Sequence, residues 1–226
     1  MDLRGLLVRK IFHITGAILL AVPFISNVPI APYYSLLALA AGVFYSVQVK
    51  MPKLLVNLRL NIFKNLEEMF INLDKLVPVS RVDLKIQYDA ALAAIERALE
   101  SAERDYEKRG GYLGLLMGAV GILISYNVFG PSYLLPAVLG LAVYDTFSAL
   151  VGAAVGRHRL PATEATIEGA IGGGAPTFLA LAIAGYSPLA ALLILAAIVL
   201  AEAYGVEDNL AIPLAASAAA YLAVFI

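Results

Sequence analysis

The stretch SYLLPAVLGLAVYDTFSALVGAAV, residues 132–155, decides the fold. It holds one charged residue, Asp145, in 24 consecutive positions. A helix of that length rises about 36 Å, enough to cross a hydrocarbon core of roughly 30 Å. A surface helix of a soluble domain would carry a polar stripe. This segment has none, so it reads as a membrane span.

Six further apolar runs lie around it: Leu6–Phe24, Ile30–Val49, Tyr112–Phe129, Gly169–Ala184, Leu189–Tyr204 and Leu210–Ile226. The chain is 61% hydrophobic with a mean hydropathy of +0.84. Soluble domains use about 45–50% apolar residues. The expectation is an all-α fold, a polytopic membrane helix bundle of about seven transmembrane helices, with residues 1–226 as a single integral membrane domain. The fifth and sixth runs are the shortest. The first run imitates a signal peptide, with Arg4, Arg9 and Lys10 ahead of an apolar stretch. No small-residue cleavage pattern closes it, so it reads as a permanent helix.

The joints between the runs alternate in character. The N-terminus, 50–109, 157–168 and 202–208 carry all 16 Lys and Arg and 17 Asp and Glu apart from Asp145. The joints 25–32, 127–132 and 185–188 carry none. Basic residues mark the cytoplasmic side. The N-terminus and the charged face are therefore expected in the cytoplasm, and seven spans place the C-terminus on the opposite side.

One stretch, residues 50–110, reads as a cytoplasmic helical insertion. Leu58, Ile62, Leu66, Met69 and Leu73 fall near helical spacing among Arg, Lys and Glu. That pattern is an amphipathic helix. Val77-Pro78-Val79 breaks it, and a second helix of alternating charge runs to Gly110-Gly111. A structural cap is the first reading of this amphipathic hairpin; homo-oligomerisation or substrate gating is the other.

Composition excludes several chemistries. With no Cys there is no disulfide framework and no thiolate. A net charge of −1 gives no bulk field for nucleic acid. No Walker A loop occurs. No Lys follows Lys108, so a retinal Schiff base in the last helix is excluded.

The candidate chemistry is carried by few residues. Asp145 leads, because a carboxylate within an apolar run is costly and reads as functional by default. Arg157, His158 and Arg159 follow at the membrane boundary; anchoring explains them singly, and an anion site explains them together with Asp145. Thr166-Ile167-Glu168-Gly169 opens the fifth run, where a Gly-rich helix start offers free N–H groups to phosphate. Tight packing explains the same glycines. Glu202, Glu207, Asp208 and Asn209 make an acidic joint with no base, which suits Mg²⁺ held with nucleotide phosphates. Arg9, Lys10 and His13 straddle the start of the first run. Gly114/Gly118, Gly152/Gly156 and Gly169/Gly173 have the spacing that lets membrane helices approach closely.

In this order the pieces resemble the polyprenol kinase family, which includes dolichol kinase, phytol kinase and the CTP-dependent diacylglycerol kinases. Arg9-Lys10-Ile11-Phe12-His13 with Gly16 resembles the family's opening. Asp145 to Gly152, then Gly156, Arg159, Pro161 and Thr166-x-Glu168-Gly169, resembles its central signature. Glu202 and Asp208-Asn209-Leu210-Ala211-Ile212-Pro213 resemble its close. The resemblance implies transfer of the γ-phosphoryl group of CTP to the hydroxyl of a membrane lipid alcohol at the cytoplasmic face, with Mg²⁺. It implies Asp145, Glu168 and Asp208 as catalytic, and Asp145, Glu202 and Asp208 as metal ligands. Nucleotide contacts fall to Arg9, Lys10, His13, Arg157, Arg159, Thr166, Gly169 and Asn209. The chain departs at one place: the family has Lys before the T-x-E-G and often another base ahead of it, where this sequence has Ala165 and Glu164. That departure keeps a non-catalytic relative in view. A CTP:lipid-phosphate cytidylyltransferase shares much of the pattern, and an intramembrane acid also suits a proton-coupled carrier.

Overall fold

The computed structural model describes residues 15–16, 18–26, 28–51 and 113–226, with positions 61, 64, 65, 90 and 93. Arg9, Lys10 and His13, and nearly all of the 50–110 insertion, lie outside the described residues.

Among the described residues the chain is helical, and no strand forms beyond one isolated bridge between Arg159 and Thr166. Residues 18–25 are helical. They are followed by α1 (Ile30–Lys50) and α2 (Leu113–Phe129). A 3₁₀ turn (Pro131–Tyr133), α3 (Leu135–Leu139), a π-helical turn (Gly140–Tyr144) and α4 (Asp145–Val155) follow without a break in the apolar sequence. The rest is α5 (Ile167–Ile183), α6 (Pro188–Tyr204), α7 (Asp208–Leu222) and a final 3₁₀ turn (Ala223–Phe225).

Three helical segments are long and apolar enough to cross a membrane: Ile30–Val47, Pro131–Val155 and Asp208–Phe225. The other three apolar helices, α2, α5 and α6, have 17 residues each. At 1.5 Å per residue they rise about 25 Å, the short end of what spans a bilayer. The seven expected spans thus resolve into three full-length helices, three shorter ones, and a first run of which only part is described.

Packing runs along a chain of neighbours. α1 lies on α2, α2 on α7, α7 on α6, and α5 on both α6 and α4. Buried side chains such as Ile122, Leu141, Ile194, Ile198 and Ile212 fill the centre. Tyr33 and Tyr34 of α1 donate their hydroxyls to the carbonyls of Leu19 and Leu20, at 2.7 and 2.6 Å, and so fasten the first run. The outside is as apolar as the inside: Leu36, Leu39, Ile171, Leu179 and Leu200 are all at least 60% exposed. A soluble monomer rarely shows so continuous an apolar surface.

The α4–α5 contact is made by glycine. A β-carbon on Gly173 would lie 2.6 Å from the Tyr144 carbonyl oxygen, and one on Gly169 would lie 2.8 Å from that of Ser148. Gly152 meets the same seam from α4, where its β-carbon would stand 3.6 Å from the α-carbon of Gly169. The small-residue spacing read from the sequence at Gly152 and at Gly169/Gly173 is thus a close helix approach. Gly156 lies just past the end of α4, with an extended ψ, rather than within the helix.

Candidate functional site

Four helix ends meet at one end of the bundle. α4 finishes at Val155 and α5 starts at Ile167; α6 finishes at Tyr204 and α7 starts at Asp208. Between α4 and α5 the chain folds back as a short ladder. The Leu160 N–H donates to the Ala165 carbonyl and the Ile167 N–H to the His158 carbonyl, each at 2.8 Å.

A cleft of about 410 Å³ opens beneath this ladder. Ser148 and Gly152 line it from α4, Thr163 to Thr166 from the ladder, Gly169 from α5 and Glu202 from the last turn of α6. Ser148 joins two sides of the site: its hydroxyl lies 3.2 Å from the Asp145 carbonyl and 3.4 Å from Glu202 Oε1. Sequence reading had not singled out Ser148. Its place three residues after Asp145 on a helix was the available signal, because that spacing shares a face.

Asp145 stands deeper. It is 5% exposed and is not among the residues lining the cleft. Its N–H bonds the Gly140 carbonyl, closing the π turn. Gly140, the first residue of the turn, packs closely on α7: a β-carbon there would come 2.6 Å from Ile212 Cγ2. π turns recur at functional positions, because the extra residue re-aims the side chains that follow. Among the described residues, fully buried Tyr144 finds no hydrogen-bond partner for its hydroxyl, nor do buried Thr146 and Ser125. Asp145, Glu202 and Asp208 each have an interaction partner.

Glu168 works at the base of the ladder. Its Oε2 accepts from the backbone N–H groups of Arg157 and His158, both at 3.1 Å, and its Oε1 lies 2.6 Å from His158 Nδ1. The His158 side chain first, and then these backbone donors, hold the Glu168 carboxyl down at about 2 against an ordinary 4.5. The stabilisation this gives is complete above about pH 4.5 and is lost as pH falls toward 2. Glu168→Gln is therefore expected to reduce hydrogen-exchange protection at the Arg157 and His158 amides at pH 7. The difference from wild type should persist down to about pH 4.5 and vanish toward pH 2. Equal protection at pH 7 would remove Glu168 as the clamp.

Thr166 caps α5, with its Oγ1 accepting from the Gly169 N–H at 3.1 Å. The Gly-rich start of α5 therefore spends this N–H on its own cap and its glycines on the α4 contact. Of the candidate basic residues, Arg159 Nη1 stands 3.9 Å from Glu164, and neither Arg157 nor Arg159 lines the cleft. Asp208 and Asn209 form a local knot. Asp208 Oδ1 accepts from the Asn209 backbone N–H at 2.8 Å and from its side-chain amide at 2.9 Å, and that amide also reaches Glu207 at 3.3 Å. Among the described residues no group of three or more His, Asp or Glu is arranged to hold a metal ion. Three residues of the acidic joint, Glu207, Asp208 and Asn209, are thus tied to one another at the start of α7, while the fourth, Glu202, lines the cleft.

Comparison with known protein families, with curated proteins and with solved structures finds no match for this chain.

Proposed function

We propose that this chain is an integral membrane lipid kinase, transferring the γ-phosphoryl group of CTP to the hydroxyl of a polyprenol-type alcohol at the cytoplasmic face. One observation carries the reading. Ser148, Thr166, Gly169 and Glu202 come from three separate helices and three parts of the sequence, yet line one cleft. The same residues belong to the stretches that resemble the polyprenol kinases. The apolar outer surface supports a bilayer setting, in which the lipid alcohol reaches the site from within the leaflet.

Phosphoryl transfer asks mainly for positioning and for balance of phosphate charge. Glu202 in the cleft, with the Ser148 hydroxyl beside it, fits one way in which Mg²⁺ is held, through one or two carboxylates, phosphate oxygens and water. Bound there, Mg²⁺ would balance the phosphate charge. Glu202 would hold it and Ser148 would fix the carboxylate; the hydroxyl proton would pass to water or to a phosphate oxygen in the cleft, because Asp145 is buried and does not line it. The test is incubation of purified protein with γ-labelled CTP, Mg²⁺ and dolichol or geranylgeraniol. A labelled lipid monophosphate with CDP is expected. A parallel incubation with dolichyl phosphate that yields a CDP-lipid and pyrophosphate, with no product from the alcohol, would assign the chain to the cytidylyltransferases, and no Mg²⁺-dependent product from either lipid would end the kinase reading.

A non-catalytic relative is the second reading, and one observation favours it. Glu164 and Ala165 both line the cleft, where the resembling family carries bases. Ala165→Lys places a cation on that wall. It is expected to lower KM for CTP by about 3- to 10-fold, the worth of one charge-assisted contact to phosphate. A variant with measurable transfer from an inert parent would establish the non-catalytic reading. An unchanged KM would show that phosphate does not pass this wall.

A further inference from the structure

The ladder over the cleft is fastened at two places. Its base is clamped by Glu168, as described above. Its tip is Pro161-Ala162, where Ala162 has φ 58°, a left-handed conformation that non-glycine residues rarely adopt. A strained turn of this kind persists only where its surroundings hold it. Within the ladder, the Ala165 N–H donates to Thr163 Oγ1 at 3.2 Å and Arg159 faces Glu164. Among the described residues, one side-chain hydrogen bond ties positions 160–165 to the rest of the bundle. Tyr204 Oη donates to the Pro161 carbonyl at 3.1 Å, across 43 positions of sequence.

Tyr204 is 52% exposed, so its hydroxyl had solvent or headgroups as alternatives. It lies two residues after Glu202 on the last turn of α6. One helix end therefore carries both the carboxylate inside the cleft and the anchor of the cleft's outer wall. The spacing between Glu202 and the wall residues Thr163 to Ala165 is set through that single turn.

We propose that Tyr204 is a positioning residue for the nucleotide: it latches the 159–166 ladder so that the wall stands at a fixed distance from Glu202. The proposal rests on the kinase reading for the identity of the ligand, and on the geometry alone for the latch. Tyr204→Phe removes one hydroxyl and keeps the ring. Loss of one hydrogen bond corresponds to roughly 2- to 10-fold in an equilibrium. KM for CTP is expected to rise by about 3- to 10-fold, with kcat within about twofold of wild type and the melting temperature in detergent unchanged. An unchanged KM, or a fall confined to kcat, would overturn the proposal, since a merely structural role does not divide the two constants in this way. Hydrogen exchange separates this from failure of the kinase reading. If wild type transfers no phosphate from CTP, the latch is judged by the Leu160 and Thr163 amides. Their exchange should be several-fold faster in the variant, and equal rates would refute the latch.

Discussion

On the proposed kinase function, Glu202→Gln is expected to remove phosphoryl transfer from CTP, by on the order of 100-fold or more in kcat/KM, with the protein still folded in the membrane. Glutamine keeps the size of the side chain and an acceptor for the Ser148 hydroxyl 3.4 Å away. What it removes is charge. Among the described residues the other carboxylate lining the cleft is Glu164, whose side chain is 94% exposed, where solvent screens it. Losing a fixed electrostatic group from a phosphoryl-transfer site falls in the range of about 10²–10³ in rate. A melting curve in detergent should overlay wild type, because the exchange leaves the cleft's packing intact. Activity within a fewfold of wild type would remove Glu202 from the site and leave the cleft as a packing feature. Asp145→Asn makes a useful companion. At 5% exposure its charge is desolvated, so this exchange should change both activity and stability, whereas Glu202→Gln changes activity alone.

The contrast between these two acids follows how far each was legible in the sequence. An acid in an apolar run announces itself, so Asp145 stood out. Glu202 stood out only as part of a dense acidic joint, and that joint divides in the folded chain. Glu202 points into the cleft, while Asp208, Asn209 and Glu207 bind one another at the start of α7. Composition could not separate them, because the division depends on where α6 ends. The helices themselves were largely legible. The apolar runs from Ile30 onward are each helical, the one at 132–155 as a 3₁₀ turn, α3, a π turn and α4 in succession, since run length and bounding polar joints are enough to place them. The π turn was not legible: residues 140–144 read as part of one apolar run, and the close approach of Ile198 and Ile212 to Gly140 is a tertiary contact. The ladder was equally hidden. Its pairing of Arg159 with Thr166, and its tie to Tyr204, are tertiary facts with no periodic trace in the sequence.

Gly173→Ala is expected to lower the melting temperature in detergent by about 5–10 °C, whereas Gly174→Ala, one residue on, leaves it equal or slightly higher. The two changes add the same methyl group to the same helix. At Gly174 the new β-carbon would meet Leu195 side-chain carbons at 3.4 Å or more, an ordinary contact. The helix there gains the roughly 0.5–1 kcal/mol by which alanine exceeds glycine. At Gly173 the methyl would lie 2.6 Å from the Tyr144 carbonyl oxygen and 3.0 Å from the Ser148 backbone N. Those are backbone atoms of the π turn and of α4 and cannot rotate away, so the helices must part. Overpacking of this kind costs about 1–3 kcal/mol. A change of 1 kcal/mol moves the melting point of a chain this long by roughly 2–4 °C. Because α4 and α5 both line the cleft, the same displacement should also depress transfer from CTP. Equal melting points for the two variants would show that α4 and α5 do not approach at Gly173, and that the seam placing Ser148 and Thr166 on one cleft is not the one described.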